Sequence, residues 1–291
     1  MERSRALPSL SKYPISRSGW VLDRVGSLRA ESSVLAGRDA RAILHGCRAR
    51  GEHMTEYTDD QYGENYPPGV ERYFWNVARN PIIERSLRRS GMDRWPLLEI
   101  GCGRGIVVEY LRCRGIDCIG CELAAAPVPD HLRSVVLDRT DFANLPASQR
   151  SGIRGVLLCD VIEHLPNPIS FLRNVRSALP ALEGVLVTVP ARQELWSEWD
   201  CHYGHLRRYD LPSLRATLNA AGLKPLAAGY FFHALYLPAF LLRGGKLRST
   251  SVKAPSLLWL HAAVGAAFQA EERILPSALP GTSAIITAFV G

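Results

Sequence analysis

The chain changes rhythm repeatedly between short, almost continuously apolar runs and longer stretches with helical spacing. Five runs stand out: PLLEI (Pro96 to Ile100), DCIGCE (Asp117 to Glu122), SVVLD (Ser134 to Asp138), GVLLCD (Gly155 to Asp160) and GVLVTV (Gly184 to Val189). Strands covered on both faces read as continuous apolar runs, and parallel strands need helical crossovers to join them. Segments such as VVEYLRCR, closed by Gly115, and PISFLRNVRSAL supply those crossovers. The pattern therefore predicts an α/β class with a doubly wound, mostly parallel sheet. A sixth strand is expected at Pro225 to Phe232 and a seventh at SAIITAFV, Ser283 to Val290.

Punctuation sharpens several boundaries. A helical segment from Val70 is expected to stop at Asn80, which with Pro81 reads as the cap and first residue of a second helix. Asp210 caps LPSLRATLNAAG, with Gly222 as its stop. Residues 234–280 form an apolar helical insertion too long for a simple loop, expected to act as a lid over a substrate crevice. Its apolar character suits a greasy acceptor and leaves room for peripheral membrane contact, although neither helical part carries a dense Lys/Arg face. The longest apolar stretches, Phe231 to Leu242 and Ser256 to Phe268, fall short of a membrane span.

Charge separates the two ends of the chain. Of the net +7, residues 1–50 hold +6, and the remaining 241 residues are close to neutral. Residues 1–53 are rich in Arg, Ser and Gly without periodicity, and read as a basic, disordered extension before a domain at 54–291. A natural start at Met54, or a transit peptide, would account for the same composition. The neutral domain argues against nucleic acid as a partner. Seven cysteines without a secretory signal predict reduced thiols in a cytoplasm. Cys118 and Cys121 lie three apart on a strand, so their sulfurs face opposite ways and cannot share a metal.

The motif with most chemistry is LLEIGCGRG, in which strand one ends at Glu99 and runs into Gly101, Gly103 and Gly105 at the start of a helix. Glycines there admit a close ligand, and a helix N-terminus offers N–H groups. A dinucleotide fold would place a third small residue where Ile106 stands. The E-x-G-x-G-x-G pattern instead resembles motif I of the class I S-adenosylmethionine-dependent methyltransferases, which have a Rossmann-like sheet. The resemblance extends over residues 55–291, through YFWNVARNPII, VIEHLPNP, GHLRRY and LPGTSAI, and is strongest toward the bacterial small-molecule, glycan and quinone-type group.

The resemblance implies S-adenosyl-L-methionine as cofactor, with a contact from each strand end. Glu99 and the three glycines form the turn, Glu122 accepts from the ribose hydroxyls, Asp141 from the adenine amino group with Phe142 against the ring, and Asp160 ends strand four. Arg79 matches the arginine that reaches the cofactor carboxylate in quinone-pathway O-methyltransferases. The implied reaction is methyl transfer, preferentially to oxygen, on a small or carrier-linked metabolite.

Methyl transfer from a sulfonium is an in-line displacement, and a hydroxyl nucleophile must also lose a proton. His164, His202 and His205 are the candidate bases. Asp160, Glu163 and His164 form D-x-x-E-H, near the E-x-x-E-H metal cluster of some relatives. The Asp in first position and the frequency of EHL in metal-free relatives lead to an expectation of no metal. The stretch EWDCHYGHLRRYD, Glu198 to Asp210, follows strand five and belongs on the acceptor rim, where Arg207 and Arg208 either grip an anionic acceptor or brace the next helix. An RNA methyltransferase and a non-catalytic cofactor-binding scaffold are the alternatives carried forward; a nicotinamide oxidoreductase ranks last because of Ile106.

Overall fold

The computed structural model describes residues 66–244 and 254–291. The expectations for residues 1–53, and for the first residues of the 54–291 domain, lie outside these. Seven strands form one sheet: β1 Leu97–Ile100, β2 Cys118–Cys121, β3 Val136–Leu137, β4 Gly155–Cys159, β5 Gly184–Pro190, β6 Leu223–Phe231 and β7 Ser283–Val290. Their order is β3-β2-β1-β4-β5-β7-β6. β1 to β5 pair in parallel, while β7 lies antiparallel between β5 and β6. The doubly wound, mostly parallel sheet expected from the apolar runs is the one observed. Strand β3 is shorter than its run, with two residues paired to β2.

Helices α1 Phe74–Ser90, α2 Ile106–Arg112, α3 Ala147–Arg150, α4 Pro168–Ala178, α5 Glu198–His202, α6 Leu211–Ala220, α7 Tyr236–Leu242 and α8 Leu258–Ile274 accompany the sheet. Alternate strand residues feed two apolar layers. Leu98, Val156, Leu158 and Val187 pack with Leu172 and Val175 of α4 and Leu214 and Leu218 of α6. Leu97, Leu157 and Leu186 pack on the other side with Ile82, Ile83 and Leu87 of α1, Val107 and Leu111 of α2 and Phe268 of α8. This period-two division is why the parallel strands read as nearly continuous apolar runs, with Glu99 and Thr188 as exceptions.

Local signals explain most helix ends. Asn167 accepts from Ser170 N–H to open α4, and Asp210 accepts from Ser213 N–H at 2.7 Å to open α6. Gly222, at φ +79°, follows α6 in the left-handed conformation.

The N-terminal helix differs from its sequence reading. Asn80 is not a cap and Pro81 does not start a helix: α1 runs unbroken from Phe74 to Ser90 with Pro81 inside it. A proline there lacks the N–H that would bond to the Val77 carbonyl. The side-chain amide of Gln269, on α8, donates to that oxygen at 2.9 Å and takes the missing donor's place. Arg85 also binds Glu272 through Nε at 3.0 Å, and a Cβ on Gly265 would stand 2.5 Å from Val77. Helix α8 therefore packs closely along α1. Tertiary contact thus overrides the local Asn-Pro signal.

Among the described residues no helix is long and apolar enough to cross a membrane. Cys118 and Cys121 are buried free thiols within β2, but Cys201 is disulfide-bonded, which corrects the expectation that the cysteines are all reduced.

Candidate active site

The sheet order reverses between β1 and β4, and ligands of open α/β sheets bind beyond the strand carboxyl ends at such a point. Here β1 passes into the turn Gly101 to Gly105. All three glycines have positive φ, +73°, +53° and +89°. Each is also held at close quarters: a Cβ would stand 2.9 Å from Val161 at Gly101, 2.8 Å from the Tyr66 hydroxyl at Gly103 and 2.6 Å from Val136 at Gly105. Both geometry and space therefore require glycine at the alternate positions.

The predicted cofactor residues surround this turn. Glu122, just beyond β2, accepts from Gly103 N–H and Ala124 N–H, both at 3.0 Å, so it ties the second strand end to the turn. Glu99 is only 2% exposed and lies beneath the turn. Burial pushes its carboxyl up to about 8, against the opposing pull of Arg79, the Cys159 thiol and the Val108 N–H. One of its oxygens has no hydrogen-bond partner. Arg79 reaches from α1 to pair with the carboxylate of Asp160, whose other oxygen accepts from Thr188 at 3.3 Å. Asp160 adopts φ +59°, an uncommon conformation for a non-glycine residue and one that aspartate tolerates better than most.

Two further predicted residues, Asp141 and Phe142, lie in the turn after β3. Phe142 is not laid open for an adenine ring: it is 8% exposed, belongs to the core and meets Phe171 edge-on at 5.6 Å. Its apolar ring is the hydrophobic anchor of the short turn 142–144. Asp141 caps that turn, accepting from Ala143 N–H at 2.8 Å, and remains at the surface.

Beyond β4 and β5 a second cluster forms. His164 and His205 meet edge-to-face with ring centroids 4.8 Å apart, and Glu163 lies with them; one ligand atom from each falls within 4.8 Å of the others. Glu163 is completely buried, and neither carboxylate oxygen accepts a hydrogen bond. Burial raises its pKa well above the usual carboxylate range, and the Asp160 carboxylate adds to this. His164 is pushed down to about 4 by burial and by neighbouring His205, so it is neutral at pH 7. His202 lies outside this group, among the rings of Trp199 and Tyr203.

The stretch EWDCHYGHLRRYD organises the cluster rather than merely lining it. Its first residues form α5, opened by a capping box between Ser197 and Asp200. Asp200 is fully buried and binds His205 Nδ1 at 2.8 Å and Arg208 Nε at 2.7 Å. Burial alone would raise its pKa, but those two partners hold it below the ordinary value. Arg208 also donates to the Ala191 carbonyl, and Arg207 to the carbonyls of Leu165 and Pro166. Both arginines therefore brace the loops around the site. The rings of Trp199, Tyr203 and His205 stack in sequence at 5.7 and 5.9 Å and give the rim an aromatic wall.

Tyr66, over Gly103, and Asp200, behind His205, were not singled out from the sequence. Asp200 sat in a capping-box pattern that could have drawn attention to it; Tyr66 carried no spacing signal. The expectation of no metal rested on motif detail. A carboxylate and two imidazoles nevertheless converge here, a donor set that suits a divalent cation, and the unpartnered buried carboxylate fits such an ion.

A family model described as Methyltransferase domain matches residues 62–228. The ubiquinone biosynthesis O-methyltransferase of Acinetobacter baumannii is 28% identical over 94 residues, 30% of this chain and 40% of the relative. That of Pseudomonas aeruginosa is 32% identical over 94 residues, 29% of this chain and 40% of the relative. The chain spans about two fifths of the length of the curated relatives it matches. Among solved structures, a SAM-dependent methyltransferase from Archaeoglobus fulgidus aligns with a TM-score of 0.43 at 17% identity, covering 74% of this chain and 97% of that one. The magnesium protoporphyrin IX methyltransferase of Synechocystis aligns with a TM-score of 0.43 at 12% identity, covering 87% and 100%.

Proposed function

Because the chain belongs to the methyltransferase domain family, we propose that it transfers the methyl group of S-adenosylmethionine to a hydroxyl oxygen of a small or carrier-linked acceptor. The observation that carries this reading is the convergence, at one reversal of strand order, of the alternating glycine turn with Glu122 on one side and the Glu163–His164–His205 cluster on the other. The first half fits the cofactor: Glu122 is placed for ribose hydroxyls, and the Arg79–Asp160 pair for the charged amino-acid end. Glu99 supports the turn from below, and Asp141 stands at the adenine side. Phe142 contributes as the anchor of its loop.

The cofactor supplies an electrophilic methyl group, and the chain's residues do the rest. The aromatic wall of Trp199 and Tyr203 orients a flat acceptor. Asp200 holds Nδ1 of His205, which leaves Nε2 as the nitrogen that accepts the hydroxyl proton. This arrangement favours His205 as base over His164 and His202. A cytoplasmic setting suits the buried free thiols of Cys102, Cys118, Cys121 and Cys159, while the disulfide-bonded Cys201 does not call for it.

A second reading of the same cluster is favoured by the unpartnered carboxylate of Glu163. Glu163, His164 and His205 would hold a divalent cation, with Asp200 fixing the orientation of His205 from behind. Such an ion, when bound, lowers the pKa of an acceptor hydroxyl.

The overall proposal is tested by incubating the protein with cofactor carrying a deuterated methyl group and a small-molecule extract. Labelled O-methyl products support it. Label found on RNA, or no label transferred to any small molecule, overturns it. Adding and chelating divalent ions in the same assay separates the two readings of the cluster.

A further inference from the structure

The glycine turn carries a cover from a distant part of the chain. Tyr66 opens the stretch YPPGV, ahead of α1. Its hydroxyl stands where a side chain on Gly103 would point: a Cβ built there would lie 2.8 Å from the Tyr66 oxygen and 3.2 Å from Cζ. Gly103 is also the residue whose N–H binds Glu122 at 3.0 Å. The phenol therefore meets the turn at the point where the second strand end is tied to it.

The charges around Tyr66 narrow its place further. Desolvation raises the pKa of its hydroxyl above the ordinary tyrosine value; Arg79 opposes the rise, while Glu122 and Glu99 add to it. The hydroxyl thus lies among the residues assigned to both ends of the methyl donor, Arg79 at the amino-acid end and Glu122 at the ribose. The ring itself packs against the apolar layer that includes α1 and α2.

The backbone holds this side chain firmly. Pro67 and Pro68 fix φ at two successive positions, and Pro67 confines Tyr66 to extended conformations. The Pro67 carbonyl accepts from Val70 N–H at 3.1 Å, and the Gly69 carbonyl from Arg72 N–H at 2.9 Å. Val70 is buried, and its own carbonyl accepts from the side-chain amide of Asn76, on α1, at 2.8 Å. Arg104, between the second and third glycines, reaches back to the Tyr66 carbonyl at 3.4 Å. The turn thus helps to position the residue that covers it.

We propose that Tyr66 is a further donor-site residue: its ring closes the crevice over the middle of the bound methyl donor, and its hydroxyl hydrogen-bonds that donor beside Gly103. The inference rests on the donor reading of the glycine turn. Closure of this kind excludes water from the sulfonium and slows release of the donor and its product. It also gives Gly103 a second reason to lack a side chain, since a methyl group there would meet the phenol.

The experiment measures affinity for S-adenosylhomocysteine by calorimetry and its release by surface plasmon resonance, without acceptor, in the parent, Tyr66→Phe and Tyr66→Ala. Tyr66→Phe keeps the packed ring, so its melting temperature without ligand should match the parent's, while its affinity falls about three- to tenfold with the lost hydrogen bond. Tyr66→Ala should release the ligand at least about tenfold faster. Unchanged affinity in Tyr66→Phe, or unchanged release by Tyr66→Ala, overturns the proposal while the donor reading stands. Tighter binding by Tyr66→Ala also overturns it, because the ring would then be an obstruction rather than a cover. Failure of the parent itself to bind removes the donor reading and, with it, the role of Tyr66.

Discussion

Replacing Gln269 with leucine probes how α1 tolerates a proline in its interior. Gln269→Leu keeps the approximate volume but removes the N–H that reaches the Val77 carbonyl at 2.9 Å. A neutral hydrogen bond contributes about 0.5–1.5 kcal/mol, and leaving a buried acceptor unpaired costs about 1–3 kcal/mol. The Val77 bond is partly buried, so a loss of about 1–2 kcal/mol is expected, or roughly 2–8 °C in melting temperature for a domain of this size. The informative comparison is the same change in a Pro81→Ala background. Alanine restores a backbone N–H four residues after Val77, so Gln269→Leu should then cost less than about 0.5 kcal/mol. Urea unfolding of the four proteins gives the coupling directly. An equal cost in both backgrounds would show that Gln269 does not compensate for the proline.

Other consequences bear on the site itself. Gly105→Ala places a Cβ 2.6 Å from Val136 at φ +89°, so it should destabilise the fold by about 1–3 kcal/mol and weaken S-adenosylhomocysteine binding at least tenfold, measured by calorimetry. Glu99 holds its proton up to about pH 8 when folded, against 4.5 for the ordinary carboxyl. Between those values the folded state retains a proton that the unfolded chain has lost, so stability falls as pH rises through the window. Glu99→Gln should reduce that slope, leaving the share due to buried Glu163, and be the more stable protein above pH ~8, in urea titrations at both ends of the window; a slope unchanged by the substitution would contradict the burial argument. His205→Gln should lower the methyl-transfer rate at least about a hundredfold while leaving cofactor affinity unchanged. A loss of affinity instead would place His205 among the cofactor contacts.

The parts of this molecule that the sequence made legible are those in which one local rule dominates. The parallel strands announce themselves because both faces of each are buried, as Leu97 and Leu98 show by packing on opposite layers. The glycine turn is legible because three positive φ angles at alternate positions leave few other residue choices. Asp210 was readable as a cap because its side chain serves a backbone N–H only three residues on, that of Ser213. What escaped the sequence depends on partners distant in the chain. Asn80–Pro81 reads as a helix start until Gln269, 192 residues from Val77, supplies the missing donor. Phe142 follows Asp141 just where an adenine contact is expected, yet Phe171 draws its ring into the core. Arg207 and Arg208 looked equally suited to an anionic acceptor, and only the positions of Leu165, Ala191 and Asp200 show that they brace loops. Asp200 gained its meaning from His205 and complete burial, neither of which its sequence neighbourhood reveals.

The most direct measurement is calorimetric titration of the full chain with S-adenosylhomocysteine, alongside a nicotinamide dinucleotide. Binding of one S-adenosylhomocysteine per chain, weakened at least tenfold by Glu122→Ala and unmatched by the dinucleotide, is the predicted result. Failure to bind S-adenosylhomocysteine, or a preference for the dinucleotide, would contradict the assignment of the glycine turn and Glu122 to a methyl donor.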